Sequence, residues 1–212
     1  MQRDRGNKRK TIDGSQENCQ APTTVYDYPA AREVLDSNDL LKRTLANEPP
    51  NEKGIRGVPK NEWTTPPEIV EASLEVLGVI DIDPCAESKD CPNIPARAHY
   101  TIWDNGMSVH WEGRVFLNPP YGNSLARWIA YLRDEYRLGY VREAIVLVPA
   151  RTDSRWFHYM GSNFIWCGVK GRLRFSEIDG PAPFPSAIFY IGKNRKRFVE
   201  IFSRFGPVYD RI

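Results

Sequence analysis

Residues 118–121 read Asn-Pro-Pro-Tyr, with Gly122 next. These residue types suit one reaction, the displacement of a methyl group from a sulfonium donor by the exocyclic amine of a flat base. Such an amine is a poor nucleophile, because its lone pair is delocalised into the ring. Acceptors placed against its two N–H groups push the nitrogen toward tetrahedral geometry and stabilise the charge that builds on it. Asn118 offers a side-chain carbonyl oxygen, and Pro119, which has no N–H, offers its peptide carbonyl. The two prolines, with φ fixed at about −65°, hold those acceptors in place. Tyr121 supplies a flat face on which an extruded base can stack. No strong general base is required, since the product ammonium loses its proton to water.

The flanking sequence puts this tetrapeptide at a productive place in a fold. Arg114-Val115-Phe116-Leu117 reads as a short strand, and Leu125, Trp128, Ile129, Leu132 and Tyr136 mark one face of a helix that ends at Gly139. The motif therefore falls in the loop at the C-terminal end of a strand, where open α/β sheets place their ligands. Thr65-Pro66-Pro67-Glu68 reads as a helix start, with Thr65 as cap, Pro66 at the first helical position and Glu68 completing a capping box. Ile69, Val70, Leu74 and Leu77 continue that helix to Gly78. Val79–Asp83 is then a strand, and residues 85–113 read as mostly loop. Ala144–Val148 is a continuous apolar run, the signature of a strand buried on both faces of a parallel sheet. A short helix is expected at Arg155–Tyr159. Further strands are expected at Ile165–Val169 and Ala187–Ile191, and a last one within Phe205–Tyr209. The alternation of helices and strands predicts a doubly wound α/β domain.

Composition narrows the setting. The chain has 212 residues, 41% hydrophobic and 12% aromatic, enough for one full domain plus an extension. Residues 61–212 carry the periodic segments. Residues 1–60 are expected to form an N-terminal extension, with short amphipathic helices within 30–46 and a linker over 47–54. No apolar run approaches the roughly 18 residues of a membrane span, and the polar N-terminus lacks a signal core, so a cytoplasmic protein is expected. The four cysteines lack CxxC spacing, and no disulfide framework is expected. The spacings of Cys85, Cys91, His99 and His110 fit no common zinc pattern, so no metal is expected. Net charge is +2, yet residues 61–113 hold two basic against ten acidic residues, and residues 114–212 hold sixteen basic against eight acidic. A basic half suits a polyanion such as nucleic acid.

Other residues are placed to bind rather than react. Asp83, at a strand end, is positioned to reach the amino group of a methyl donor, or to cap the turn that follows. The glycine-rich turn usual after such a strand is absent. Asp83-Pro84-Cys85-Ala86-Glu87-Ser88 keeps an acid and a proline but has Glu87 where glycine is expected. Asp104, in Trp103-Asp104-Asn105-Gly106, is a candidate acceptor for a donor adenine, or a turn aspartate. Arg151 is assigned to substrate or phosphate contact, with Thr152 or Asp153 capping the helix that follows. Lys170, Arg172 and Arg174 alternate, so they project from one face of an extended segment and suit phosphates. Lys193, Arg195, Lys196 and Arg197 form a second basic cluster, as readily a solvated face as a phosphate site.

Six segments, in order, resemble the phage-type Dam family of DNA N6-adenine methyltransferases. They are Glu62–Glu68, Asp81–Ala86, Asn118–Gly122, Pro149–His158, Gly171–Phe175 and Ala182–Ser186. The resemblance spans about residues 61–192. It implies a Rossmann-like, S-adenosylmethionine-dependent methyltransferase fold with helices on both faces of the sheet. It also implies adenine N6 in double-stranded DNA as acceptor, with the adenine flipped out, and a short recognition site of the GATC kind. By the same resemblance Asn118, Pro119, Pro120 and Tyr121 are catalytic, and Thr65, Pro66, Asp83 and Pro84 hold the donor; Trp63, Cys85 and Asp104 are candidates beside them. Neither monomer nor dimer is implied. Cytosine N4, an RNA base or a glutamine amide presents the same planar N–H₂ group, and a silent DNA-binding module is the non-enzymatic alternative.

Overall fold

A computed structural model of the chain describes residues 63–176 and 180–211. The expected N-terminal extension, its helices and its linker lie outside the described residues. The described elements run α1 (Pro67–Leu77), β1 (Ile80–Asp83), β2 (Ala96–His99), a 3₁₀ turn (Gly106–Ser108), β3 (Gly113–Leu117), α2 (Leu125–Arg137), β4 (Val141–Pro149), α3 (Arg155–Asn163), β5 (Ile165–Gly168), β6 (Ser186–Ile191), α4 (Arg195–Phe202) and β7 (Val208–Tyr209).

The strands form one seven-stranded sheet in the order β2-β1-β3-β4-β6-β5-β7. The first four are parallel. β6 runs against both β4 and β5, and β7 runs against β5. The sheet is therefore mixed rather than wholly parallel. The cause is the β5–β6 connection, whose described part holds no helix. A parallel neighbour needs a long crossover, usually helical, and without one the chain returns antiparallel.

Helices cover both faces. Successive strand residues point to opposite sides. Phe189 meets Phe157 of α3, at a ring separation of 5.2 Å, while Tyr190 stacks on Phe198 of α4 at 5.5 Å. Thus α3 and α4 lie on opposite faces. α1 packs with α4, and α2 packs with α3. Between the layers Ala144–Val148 of β4 is wholly buried, as the apolar run predicts.

Two local expectations are corrected. Thr65 does not cap α1. Pro66 is the N-cap, no side chain caps the helix, and the Thr65 hydroxyl faces Asn118 instead. The residue before α3 is Ser154, so neither Thr152 nor Asp153 is its cap. Among the thiols, Cys167 is free, whereas Cys91 is disulfide-bonded.

Two elements went unread in the sequence. β2 (Ala-Arg-Ala-His) carries little strand propensity and forms because its backbone pairs with β1, Ile80 opposite Ala96 and Ile82 opposite Ala98. α4 was hidden inside the second basic cluster. Its signal was there in Asn194, whose side chain accepts from the Arg197 amide, and in Phe198, Ile201 and Phe202, at the spacing of one helix face.

The topology also marks a place for ligands. From β1 the chain moves outward to β2, then returns to β3 on the other side of β1. At such a reversal the loops leaving the strands diverge and open a crevice beyond their carboxyl ends. Asp83 ends β1 on one side of this crevice, and Asn118 follows β3 on the other.

Candidate active site

β3 ends where the tetrapeptide starts, because Pro119 and Pro120 have no N–H to continue the ladder. Asn118 is half-buried. Its Nδ2 donates to the Trp63 carbonyl at 2.6 Å and to the Thr65 hydroxyl at 3.1 Å. A peptide carbonyl only accepts, so the contact with Trp63 fixes which way the amide faces. A carboxylate here would set oxygen against the Trp63 carbonyl oxygen. Asn118 Oδ1 is left buried without a hydrogen-bond partner. Among the described residues one other buried side-chain atom shares that condition, Ser186 Oγ. Leaving such an acceptor unpaired costs on the order of 1–3 kcal/mol, and the site carries that cost at the atom best suited to receive an amine N–H.

Four aromatic rings gather beside it. Trp63 lies 5.2 Å from Phe175 and 5.1 Å from Phe184, centroid to centroid. Tyr121 meets Phe184 edge-on at 5.4 Å and Phe175 at 6.4 Å. Tyr121 is only 4% exposed, so its ring forms an inner wall rather than an open platform. Burial holds its phenol well above the usual range, which keeps it protonated. Its hydroxyl is oriented toward the Leu147 carbonyl. Arg151 is exposed, and one of its guanidinium N–H groups donates to the Tyr121 carbonyl at 3.1 Å, tying the loop after β4 to the tetrapeptide. Pro119 is buried and Pro120 half-buried.

On the other side of the crevice, Asp83 is 2% exposed. Its Oδ1 accepts from the Cys85 amide at 3.0 Å, which closes the Asp83-Pro84-Cys85 turn without a glycine. The Tyr100 amide donates to the Asp83 carbonyl, and the Ala86 amide to the Tyr100 carbonyl, lacing the turn to the end of β2. Burial pushes the Asp83 carboxyl up to about 7; the Cys85 N–H pulls it down, and nearby Glu87 raises it further. Pro84 is buried beneath Gly106, where a Cβ would stand 2.1 Å from the Pro84 carbonyl oxygen. Asp104 has its oxygens engaged. One accepts from the Thr101 amide and hydroxyl, the other from Lys89. Those bonds, the Lys89 pairing foremost, bring its carboxyl down to about 2. Its geometry is that of the turn aspartate.

The basic residues divide into two groups. Lys170, Arg172 and Arg174 are exposed, while Leu173, between the last two, and Phe175, after them, are buried. Burial alternates only from Arg172 to Phe175, since Gly171, exposed and at φ 78°, turns the backbone between Lys170 and Arg172; Phe175 joins this strip to the aromatic wall. In the second cluster Arg195 pairs with Asp210, and Arg197 with Glu75 and Glu200. Sequence reasoning gave no role to Phe175, Phe184 or Ser186. Their only signal lay in their presence within two of the six segments.

A family model described as DNA N-6-adenine-methyltransferase (Dam) matches residues 55–183. No curated protein matches the chain. The matched span runs from before Trp63, through Asp83 and Asn118–Tyr121, to Pro183, and so takes in both sides of the crevice. The mixed α/β sheet is consistent with a methyltransferase-like fold. With more than half its length matched, the chain belongs to the Dam family, adenine-specific DNA methyltransferases that use S-adenosylmethionine to methylate adenine N6 in DNA.

Proposed function

We propose that the crevice between β1 and β3 is where this methylation occurs, on an adenine extruded from double-stranded DNA, within a Rossmann-like fold. One observation carries the assignment: Asn118 Oδ1 is buried, unpartnered and held in orientation through the amide's other atom. S-Adenosylmethionine, when bound, supplies an electrophilic methyl group. The donor set fits such a molecule. Asp83 offers a buried carboxyl for an amino group or hydroxyls, with Pro84 and Cys85 in the same turn and Trp63, Thr65 and Pro66 across from it. Asp104, bound to Thr101 and Lys89, shapes the adjoining loop.

Asn118 Oδ1 accepts one N–H of the adenine amine, and the Pro119 carbonyl accepts the other. Together they raise electron density on the nitrogen and stabilise its developing positive charge. Pro120 stiffens the loop, and Tyr121 walls the base pocket with a phenol that stays neutral. An amide cannot take the departing proton, which leaves to water. Arg151, Lys170, Arg172 and Arg174 contact phosphates, and the bond from Arg151 to the Tyr121 carbonyl couples that contact to the reacting loop.

The test is transfer of labelled methyl from S-adenosylmethionine to DNA by the full chain, with digestion to identify the nucleoside. N6-methyladenine is expected. Asn118→Ala should lower kcat by about 10²–10³ while calorimetric donor binding stays within a few-fold. Label on cytosine would reject adenine as acceptor. Full activity in the Asn118 variant would reject its role.

A further inference from the structure

The second unpartnered atom is Ser186 Oγ, in a residue 1% exposed at the start of β6. Strand register shows where it stands relative to Asn118. Ser186, Ile188 and Tyr190 share one face of β6, the face on which Tyr190 stacks against α4. Leu117 pairs with Val146, which pairs with Phe189, the residue packed on α3 from the other face. The next residue, Asn118, therefore turns to the α1 and α4 side, where it meets Trp63 and Thr65. The two orphan atoms lie on one face, at one edge of the sheet. β4 alone separates their strands, and Ser186 sits opposite Pro149. Two strand spacings across and two residues along put their Cα atoms about 12 Å apart, the scale of one nucleobase hydrogen-bonded at both ends. The aromatic cluster links the two positions: Trp63 holds Asn118 through its carbonyl, and Phe184 lies two residues before Ser186.

We propose that Ser186 is a second contact for the acceptor base, its hydroxyl donating to a ring nitrogen of the adenine whose amine Asn118 holds. This rests on the adenine-methylation reading above and adds the residue that reads the far edge of the base. A buried hydroxyl without a partner is a net cost to the folded chain. A purine ring nitrogen, which can only accept, supplies the missing partner. Trp63, Phe175 and Phe184 part to admit the ring, so that binding exchanges aromatic contacts within the protein for stacking on the base.

The experiment compares wild type with Ser186→Ala and Ser186→Thr, on DNA whose target adenine is intact or replaced by 1-deaza-, 3-deaza- or 7-deazaadenine. Wild type should lose about tenfold in kcat/KM on one of the analogues. Ser186→Ala should lose about tenfold on intact adenine, mainly in KM, and nothing further on that same analogue. Ser186→Thr, which keeps the hydroxyl, should recover most of the activity. The Ser186→Ala melting temperature should be unchanged or higher. A lower melting temperature would show that the hydroxyl has a partner in the protein and would overturn the proposal. So would unchanged kcat/KM in Ser186→Ala, or equal analogue penalties in both enzymes. If wild type places no label on adenine at all, the failure belongs to the adenine reading; adenine methylation without Ser186 coupling sinks only this inference.

Discussion

At the scale of single residues, the site holds two groups in states that water would not favour. Asn118 keeps a buried carbonyl oxygen unpaired. Asp83 keeps a carboxyl whose ionisation is pushed from the ordinary 3.8 to about 7 by burial. The sign of the second effect is specific. A carboxyl raised on folding contributes stability that is complete below the unfolded value and lost as pH rises through about 7. Near neutrality Asp83 is thus a buried charge in need of a cation or hydroxyl partner, and a donor amino group meets that need. The affinity of the protein for S-adenosylmethionine should therefore strengthen by about tenfold between pH 6 and pH 8, following the ionised fraction of Asp83. Asp83→Asn should bind weakly at both values and show a nearly flat profile. Calorimetric titration across this range decides it, and an equally steep profile in the Asp83→Asn variant would remove Asp83 from the donor site.

At the scale of elements, the crevice depends on loops being held against strand ends. Gly106 is the clearest case, since a Cβ there would lie 2.1 Å from the Pro84 carbonyl oxygen. Gly106→Ala must push the 3₁₀ turn away from the Asp83-Pro84 turn. It should lower stability by about 1–3 kcal/mol, typical of overpacking, and weaken donor binding more than DNA binding. Thermal melts and paired titrations would show it; a normal melt with normal donor affinity would mean that the turn yields freely. The same distinction between local and distant causes explains what the sequence made legible. α1, α2 and the β4 run were readable because apolar spacing is a local property. Asn118 and Asp83 were readable because strand ends and prolines announce themselves. β2 was not, since Ala-Arg-Ala-His becomes a strand only through β1. The direction of β6 was not, because orientation belongs to the connection. Ser186 and Phe184 gained meaning only when β6 came to lie beside β4.

At the scale of the whole molecule, charge is sorted by its use. The acidic stretch 61–113 contains β1 and β2, and the buried Asp81 there draws Arg97 and Arg142 into ion pairs. The basic residues of α4 and its surroundings are largely committed within the protein: Arg195 to Asp210, and Arg197 and Arg204 to Glu75. These pairs dock α4 on α1 and on the segment after β7. Among the described residues no carboxylate pairs with Lys170, Arg172 or Arg174, although all three are exposed. They stand on a segment whose buried residues include Phe175 of the aromatic wall. Phosphate neutralisation releases condensed counterions, so each such contact adds about 0.9 to the slope of log affinity against log salt. Replacing Lys170, Arg172 and Arg174 together by alanine should therefore flatten that slope by between two and three, and weaken binding about equally across DNA sequences. Replacing Arg195 and Arg197 should leave the slope unchanged and lower the melting temperature instead. Binding isotherms over 50–200 mM salt separate the two outcomes. A slope lost with Arg195 and Arg197, and kept without the 170–174 strip, would move the DNA-facing surface to α4.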